Sequence, residues 1–247
     1  VRSDRARSDR TLVAAIAADP GHHNPANTTS GGVHTAAAVL YNGLVGLDEG
    51  LQPVPELAER WEVREDGAVY RFHLRRDVRW HDGQPFTAAD VKFTFEEMLL
   101  RFHARTRASL VPVLAAIDVL DEHTVEFRFD RAYAPLLQQL NVVEAPILPK
   151  HVYEGSDPLR HPANTAPIGT GPFRFVSYRP DNEIRYAGNP DYFGGAPAID
   201  ALVLRVIPDE GIQVVALEAG EVDWLFTVPG AERERLGRNP RVRFMET

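Results

Sequence analysis

The chain has no cysteine in its 247 residues, which excludes disulfides, Cys-ligated zinc and thiol catalysis. Lysine is nearly absent too: of 27 basic residues only Lys92 and Lys150 are lysine. That bias accompanies a high alanine content and by itself argues for no anionic ligand. No run of about 18 apolar residues occurs, so no membrane-spanning helix is expected. A net charge of −8 opposes the phosphate neutralisation on which sequence-independent nucleic-acid binding depends, and no nucleic-acid partner is expected. The opening VRSDRARSDR lacks the apolar core of a signal peptide. It reads as a disordered lead, or as the start left after an export signal has been removed.

Catalytic motifs are missing as well. The sequence contains no His-Glu-x-x-His, no Gly-x-Ser-x-Gly and no Walker A loop. Gly169-Thr170-Gly171 lacks the third glycine of a dinucleotide loop and runs into the strand-like Phe173–Tyr178, so it reads as a turn. His22 and His23 are adjacent and would point opposite ways along a strand, and His73 and His81 have no carboxylate at helical spacing to complete a metal site. The expectation is therefore no catalytic residue, no metal and no cofactor; the chain is not read as an enzyme.

What is present is an ordinary globular composition, 44% hydrophobic and 25% charged. Residues 57–91 are the most informative stretch. Trp61-Glu62-Val63-Arg64 and Val69 to Leu74 alternate apolar with polar around Glu65-Asp66-Gly67, the pattern of a hairpin. Thr87 is placed to cap a helix over 88–101, with Asp90 in its first turn and an apolar stripe of Val91, Phe95, Met98 or Leu99, and Phe102. Elsewhere the patterns predict a strand over 11–17, a loop over 18–32 and a helix over 33–42 closed by Gly43 as a left-handed cap. A second hairpin is predicted at 117–120 and 124–129, with helices over 134–140, 209–219 and 231–236. Further strands are expected over 171–178, 183–187, 202–206 and 222–226. The outer segments alternate strand and helix while the middle does not, which predicts an α/β core formed by 1–45 and 163–247 with an α+β insert over 46–162.

The ordered string Trp80-His81-Asp82-Gly83, Pro85-Phe86-Thr87-Ala88 and Asp90-Val91 resembles the family 5 extracellular solute-binding proteins, the oligopeptide, dipeptide and nickel receptors of ABC importers. Further matches follow in family order: Thr11 to Ala17, Asn24-Pro25, Val39 to Val45, Gly169-Thr170-Gly171-Pro172-Phe173, Asn189-Pro190-Asp191-Tyr192-Phe193, and Ala219 to Asp223. The resemblance implies a mixed α/β fold, a type II periplasmic-binding-protein-like lobe with an inserted α+β subdomain. Because family members are about twice as long, it implies the first lobe alone, without the second lobe that closes the cleft.

Thr28, Thr29 and Ser30 supply hydroxyls, and Gly31 and Gly32 leave backbone amides bare at a helix start, an arrangement suited to a carboxylate. An ordinary glycine-rich connector with a capped helix has the same pattern. The resemblance assigns Thr28, Thr29 and Val33 to the cleft wall, and a second cleft-lining group to positions matching Phe102, Arg105 and Arg107. Arginine at 107 replaces an aromatic residue common in the family and would suit a carboxylate or phosphate; as surface side chains the pair needs no ligand. Glu144 is a further candidate, for a ligand ammonium group. The resulting expectation is a monomeric, exported receptor, periplasmic or extracellular and membrane-associated, that passes a peptide or similar small polar solute to an inner-membrane ABC permease. The alternatives are a sensory or interaction module built on a solute-binding lobe, and a receptor for nickel or another metal chelate.

Overall fold

A computed structural model describes residues 10–245. The expected lead falls almost wholly on residues 1–9, outside the described residues. In chain order the elements are β1 (Thr11–Ile16), α1 (Gly31–Ala37), β2 (Val45–Leu47), β3 (Pro53–Pro55), β4 (Ala58–Arg64) and β5 (Val69–Leu74). The helical run that follows comprises α2 (Ala88–Phe93), a π-helical turn (Thr94–Leu99) and α3 (Leu100–Phe102). Then come α4 (Ala104–Leu110), β6 (Leu114–Asp121), β7 (Thr124–Phe129), α5 (Leu136–Gln139) and α6 (Lys150–Tyr153). The last part holds β8 (Phe173–Arg179), β9 (Glu183–Gly188), β10 (Ala201–Val206), α7 (Glu210–Glu218), β11 (Trp224–Leu225) and α8 (Gly230–Gly237). The fold is mixed α/β, as expected.

Two main sheets carry it. The five-stranded sheet runs β11-β1-β10-β9-β8, with β1 parallel to β10 and β11 and the rest antiparallel. It thus draws one strand from the start of the chain and four from its end. The four-stranded sheet, β4-β5-β7-β6, is antiparallel throughout and lies wholly between them in sequence.

Strand periodicity explains how the first sheet is buried on both faces. Ala14 and Ile16 of β1 face a large core that includes Leu40, Tyr41, Phe72, Phe95 and Phe127, whereas Val13 and Ala15 pack with Ala216 and Val222. The large core is continuous between the sheets. Tyr70, Phe72, Leu74, Val91 and Phe95 are all buried in it, while Trp61, on the edge strand β4, is only partly covered. Phe127 stands edge-on to both Phe72 and Phe95, with ring centroids 5.6 and 4.9 Å away.

The helix over 88–101 forms, with a departure in its middle. Asp90 Oδ2 accepts from the Thr87 backbone N–H at 2.9 Å, and Asp90 Oδ1 accepts from Lys150 N at 2.9 Å, so one buried carboxyl serves the starts of two helices. The π turn at Thr94–Leu99 shifts the register so that Met98 and Leu99 are both fully buried, where a regular helix would favour one. α4 went unforeseen because Ala104–Leu110 offers no apolar stripe, and α6 and the β2–β3 ribbon are likewise too short to show a period.

Gly43 corrects the sequence reading. The helix before it ends at Ala37, and Gly43 is not among the glycines of positive φ. Its lack of a side chain matters for another reason: a Cβ there would lie 2.3 Å from the Leu140 carbonyl oxygen.

The residues that carry the family resemblance meet where the two sheets join. Gly169 N donates to His81 Nδ1 at 3.1 Å, His81 Nε2 donates to Gly171 O at 3.0 Å, and His81 N donates to Gly169 O at 2.8 Å. Asn189 Nδ2 also donates to Gly171 O at 3.1 Å. Asn42 accepts from Thr170 Oγ1 and donates to Glu56 and Tyr192, while the Arg75 guanidinium lies 5.1 Å from the centre of the Phe193 ring. These residues form a clasp, and their polar groups are turned toward one another.

Candidate functional site

The loop before α1 is shaped by its own polar side chains. Asn24 Oδ1 accepts from Ala26 N at 3.0 Å and opens a 3-10 turn at Pro25–Asn27. Thr28 Oγ1 accepts from Ser30 N at 3.1 Å, and the Thr28 carbonyl accepts from His34 Nε2 at 3.0 Å. Thr29, Ser30 and Gly31 are exposed, with Thr28 and Gly32 half-buried. The first intrahelical acceptor in use is Ser30 O, taken by His34 N at 3.1 Å, so the amides of Gly31, Gly32 and Val33 head the helix without one. The Val33 side chain is only 1% exposed, which leaves its backbone as the part able to meet a solute.

The second group of candidates lies on α4 and the loop beyond α5. His103 caps α4: its Nδ1 stands 2.7 Å from Thr106 Oγ1, which in turn donates to Glu144 O at 2.5 Å. Arg105 Nε donates to Glu144 Oε2 at 2.9 Å. Two candidates considered separately, one for an anion and one for an ammonium, are therefore partners of each other. Arg107 is exposed and makes no ion pair among the described residues; Phe102 is half-buried.

The structure joins the two groups. The His34 and His103 rings stand edge to face with centroids 5.6 Å apart, so the loop at 28–34, the start of α4 and Glu144 form one continuous wall. Burial is the main cause that lowers both imidazole pKa values, that of His103 to about 4, and each keeps its neutral form near pH 7. Beside this wall opens a concavity of about 620 Å³ whose sides include Gly31, His34, Leu12, Leu204, Trp224 and Phe226. Val143, next to Glu144, also lines it. Its walls are mostly apolar, Gly31 brings the start of α1 to them, and none of the charged candidates is among the wall residues. Sequence reasoning missed His34, His103, Trp224 and Phe226 as wall residues. The signal for the last two was available, since residues two apart on a strand share a face.

The histidines raised as metal candidates have other work. His81 is held by the Gly169–Gly171 loop, His73 Nε2 lies 3.0 Å from Glu62, and His23 packs edge-on against Phe175 and Tyr178. Among the described residues no group of three or more His, Cys, Asp or Glu is placed to hold a metal ion.

Comparison with known proteins agrees with this frame. The model for bacterial extracellular solute-binding proteins, family 5 Middle, matches residues 52–246. A di/tripeptide-binding protein 2 of Pseudomonas aeruginosa (strain UCBPP-PA14) is 36% identical over 259 residues, covering 96% of this chain and 48% of that protein. Among solved structures, the periplasmic binding protein DppA from Helicobacter pylori in complex with the peptide STSA superposes with a TM-score of 0.81 at 30% identity, over 93% of this chain and 49% of that one. NikZ from Campylobacter jejuni in complex with Ni(L-His) gives a TM-score of 0.81 at 26% identity, over 93% and 45%. The chain spans about half the length of the curated relatives it matches. This chain belongs to the family 5 bacterial extracellular solute-binding proteins.

Proposed function

We propose that this chain forms one wall of the solute site of an ABC-importer receptor and that the solute is a peptide or a similarly small polar molecule. The observation that carries the reading is a chain of contacts beside one apolar concavity: Gly31, His34 and Val143 line it, His34 meets His103 at the start of α4, and Arg105 of α4 bonds Glu144, next to Val143. Bare amides at Gly31 and Gly32 suit a carboxylate, Arg107 offers a free guanidinium, and the concavity suits an apolar side chain. The peptide-binding relatives support the same class of solute. In this reading 1–45 with 163–247 form the α/β core, 46–162 form an inserted subdomain, and the receptor works as a monomer in the periplasm or at the outer face of the membrane. It binds without catalysis and delivers its solute to an inner-membrane permease.

Capture requires closure. On an open face each hydrogen bond contributes only about 0.5–1.5 kcal/mol net, because water competes for it. A few such contacts barely offset the loss of translational and rotational freedom, about 4 kcal/mol or more. A second wall closing over the solute would exclude that water and add contacts of its own. Calorimetry with a pool of di- and tripeptides tests this. The full-length receptor should bind at micromolar levels, about −8 kcal/mol, and the 247-residue chain at least a hundredfold more weakly. No peptide binding by the full-length protein would overturn the solute class, and equal affinity in the two would overturn the half-site reading.

A further inference from the structure

Two distant segments share a local pattern that solute capture does not explain. Residues 22–27 read His-His-Asn-Pro-Ala-Asn and residues 160–164 read Arg-His-Pro-Ala-Asn. Each Pro-Ala-Asn is a 3-10 turn opened by the side chain before its proline, Asn24 Oδ1 accepting from Ala26 N at 3.0 Å and His161 Nδ1 accepting from Ala163 N at 3.2 Å. The turns are tied together, for Asn24 Nδ2 donates to Asn164 Oδ1 at 2.9 Å and His23 N to Asn164 O at 2.6 Å. Beside that tie is an open cavity of about 480 Å³ walled by His22, Asn27, Thr28, Arg160, His161 and Thr165 among others. None of its wall residues is Asp or Glu, although the chain carries a net charge of −8.

The hydrogen bonds fix what the two rings present. His22 Nδ1 accepts from Asn24 N at 3.2 Å, as His161 Nδ1 does from Ala163 N. A backbone N–H can only donate, so in each neutral ring the proton sits on Nε2. Each Nε2–H is left as a donor that its own turn does not use. Thr28 Oγ1 takes the Ser30 N–H as acceptor, which leaves its hydroxyl proton to be donated. Arg160 adds a planar fork; its one ion-pair partner among the described residues, Asp157 at 3.9 Å, is exposed, as Arg160 is, and the pair has little strength. Donors and positive charge thus share one cavity without a competing carboxylate in its wall.

We propose that this cavity binds a small oxyanion, a carboxylate or a phosphate, through the Nε2–H groups of His22 and His161 and the Arg160 guanidinium. The cavity shares Thr28 with the proposed solute wall, but the binding groups His22, His161 and Arg160 have no part in that reading, and the test contains no peptide. The 247-residue chain, labelled with ¹⁵N, is titrated at pH 7 and constant ionic strength with inorganic phosphate and, separately, with succinate. Saturable shifts of the His22 and His161 ring nitrogens and of Arg160 Nε are expected, and the tighter of the two anions identifies the preferred oxyanion. A double variant, His22→Asn with His161→Asn, keeps an oxygen acceptor for each turn, as Asn24 provides naturally, and deletes both Nε2 donors. It should weaken binding at least tenfold with the rest of the amide spectrum unchanged. Arg160→Gln, at a highly exposed position, gives a second variant with the same expected direction. Shifts that fail to saturate, shifts reproduced by chloride, or unchanged affinity in both variants would overturn the site.

Discussion

Replacing Gly169 with alanine tests the clasp directly. A Cβ at this position would sit 1.8 Å from the Leu40 carbonyl oxygen, where contacts below 3.0 Å essentially never occur, so one backbone must retreat by more than 1 Å. Among the bonds this loop makes are four close to the substitution: the pair between His81 and Gly169, His81 Nε2 to Gly171 O at 3.0 Å, and Gly171 N to Leu40 O at 2.8 Å. Losing two of them costs about 2 kcal/mol at the usual net value of about 1 kcal/mol each. Overpacking against a carbonyl adds about 1–3 kcal/mol. The expected destabilisation is therefore about 3–5 kcal/mol, or a melting temperature lower by about 6–20 °C for a chain of this size. Urea denaturation followed by tryptophan fluorescence measures it, and the buried Trp80 beside His81 is a local reporter. Gly230→Ala, where a Cβ meets nothing within 4 Å, is the control and should stay within about 0.5 kcal/mol of the wild type. A Gly169→Ala variant as stable as that control would refute the argument that the loop is glycine because Leu40 leaves no room.

Phe72→Ala removes a fully buried ring from the core between the sheets and should cost about 3–5 kcal/mol; an unchanged melting temperature with lost peptide binding in the full-length receptor would instead make Phe72 a solute contact. Acid should destabilise the chain, since burial holds His23 and His81 at about 4, below the ordinary 6.5. Between pH 6.5 and 4 the unfolded state binds more protons, so the stability these neutral rings contribute is complete above pH 6.5 and is lost as pH falls through 4, roughly 3 kcal/mol for each. Glu56 and Asp90, raised mainly by burial, act in the opposite sense and soften the loss at the lower end. Urea midpoints that do not fall from pH 7 to pH 4.5 would contradict the sign. Prolonged chelation should leave the unfolding curve unchanged, and a lowered midpoint in chelator would reveal a structural metal.

Much of the frame was legible because its signals are local. The 61–74 hairpin announces itself by alternation and a Glu-Asp-Gly turn, and all three turn residues take positive φ. Thr87 and Asp90 announce the long helix by spacing alone. Elements without a period of their own were invisible: α4 exposes most of its length, and α6 is only four residues long. The role of Gly43 was misread because sequence distinguishes poorly between a glycine that must bend and one that must let another backbone pass. Nor could spacing along the chain reveal that Arg105 and Glu144, 39 positions apart, are bonded to each other.

The same physics separates the residues that identify the family from those that would select its solute. His81, Gly169 and Gly171, Asn189 and Tyr192 are tied to one another across the junction of the two sheets, and each has a specific partner or a close backbone neighbour that excludes other side chains. Such positions are strongly constrained, so they appear as a readable string. Thr29, Gly31 and Arg107, which the proposed reading assigns to the solute, are exposed. Nothing in the folding of the chain dictates their identity, which leaves them available to be set by whatever binds. A sequence therefore shows the frame of such a fold clearly and its exposed positions faintly, because packing constrains the first and leaves the second open.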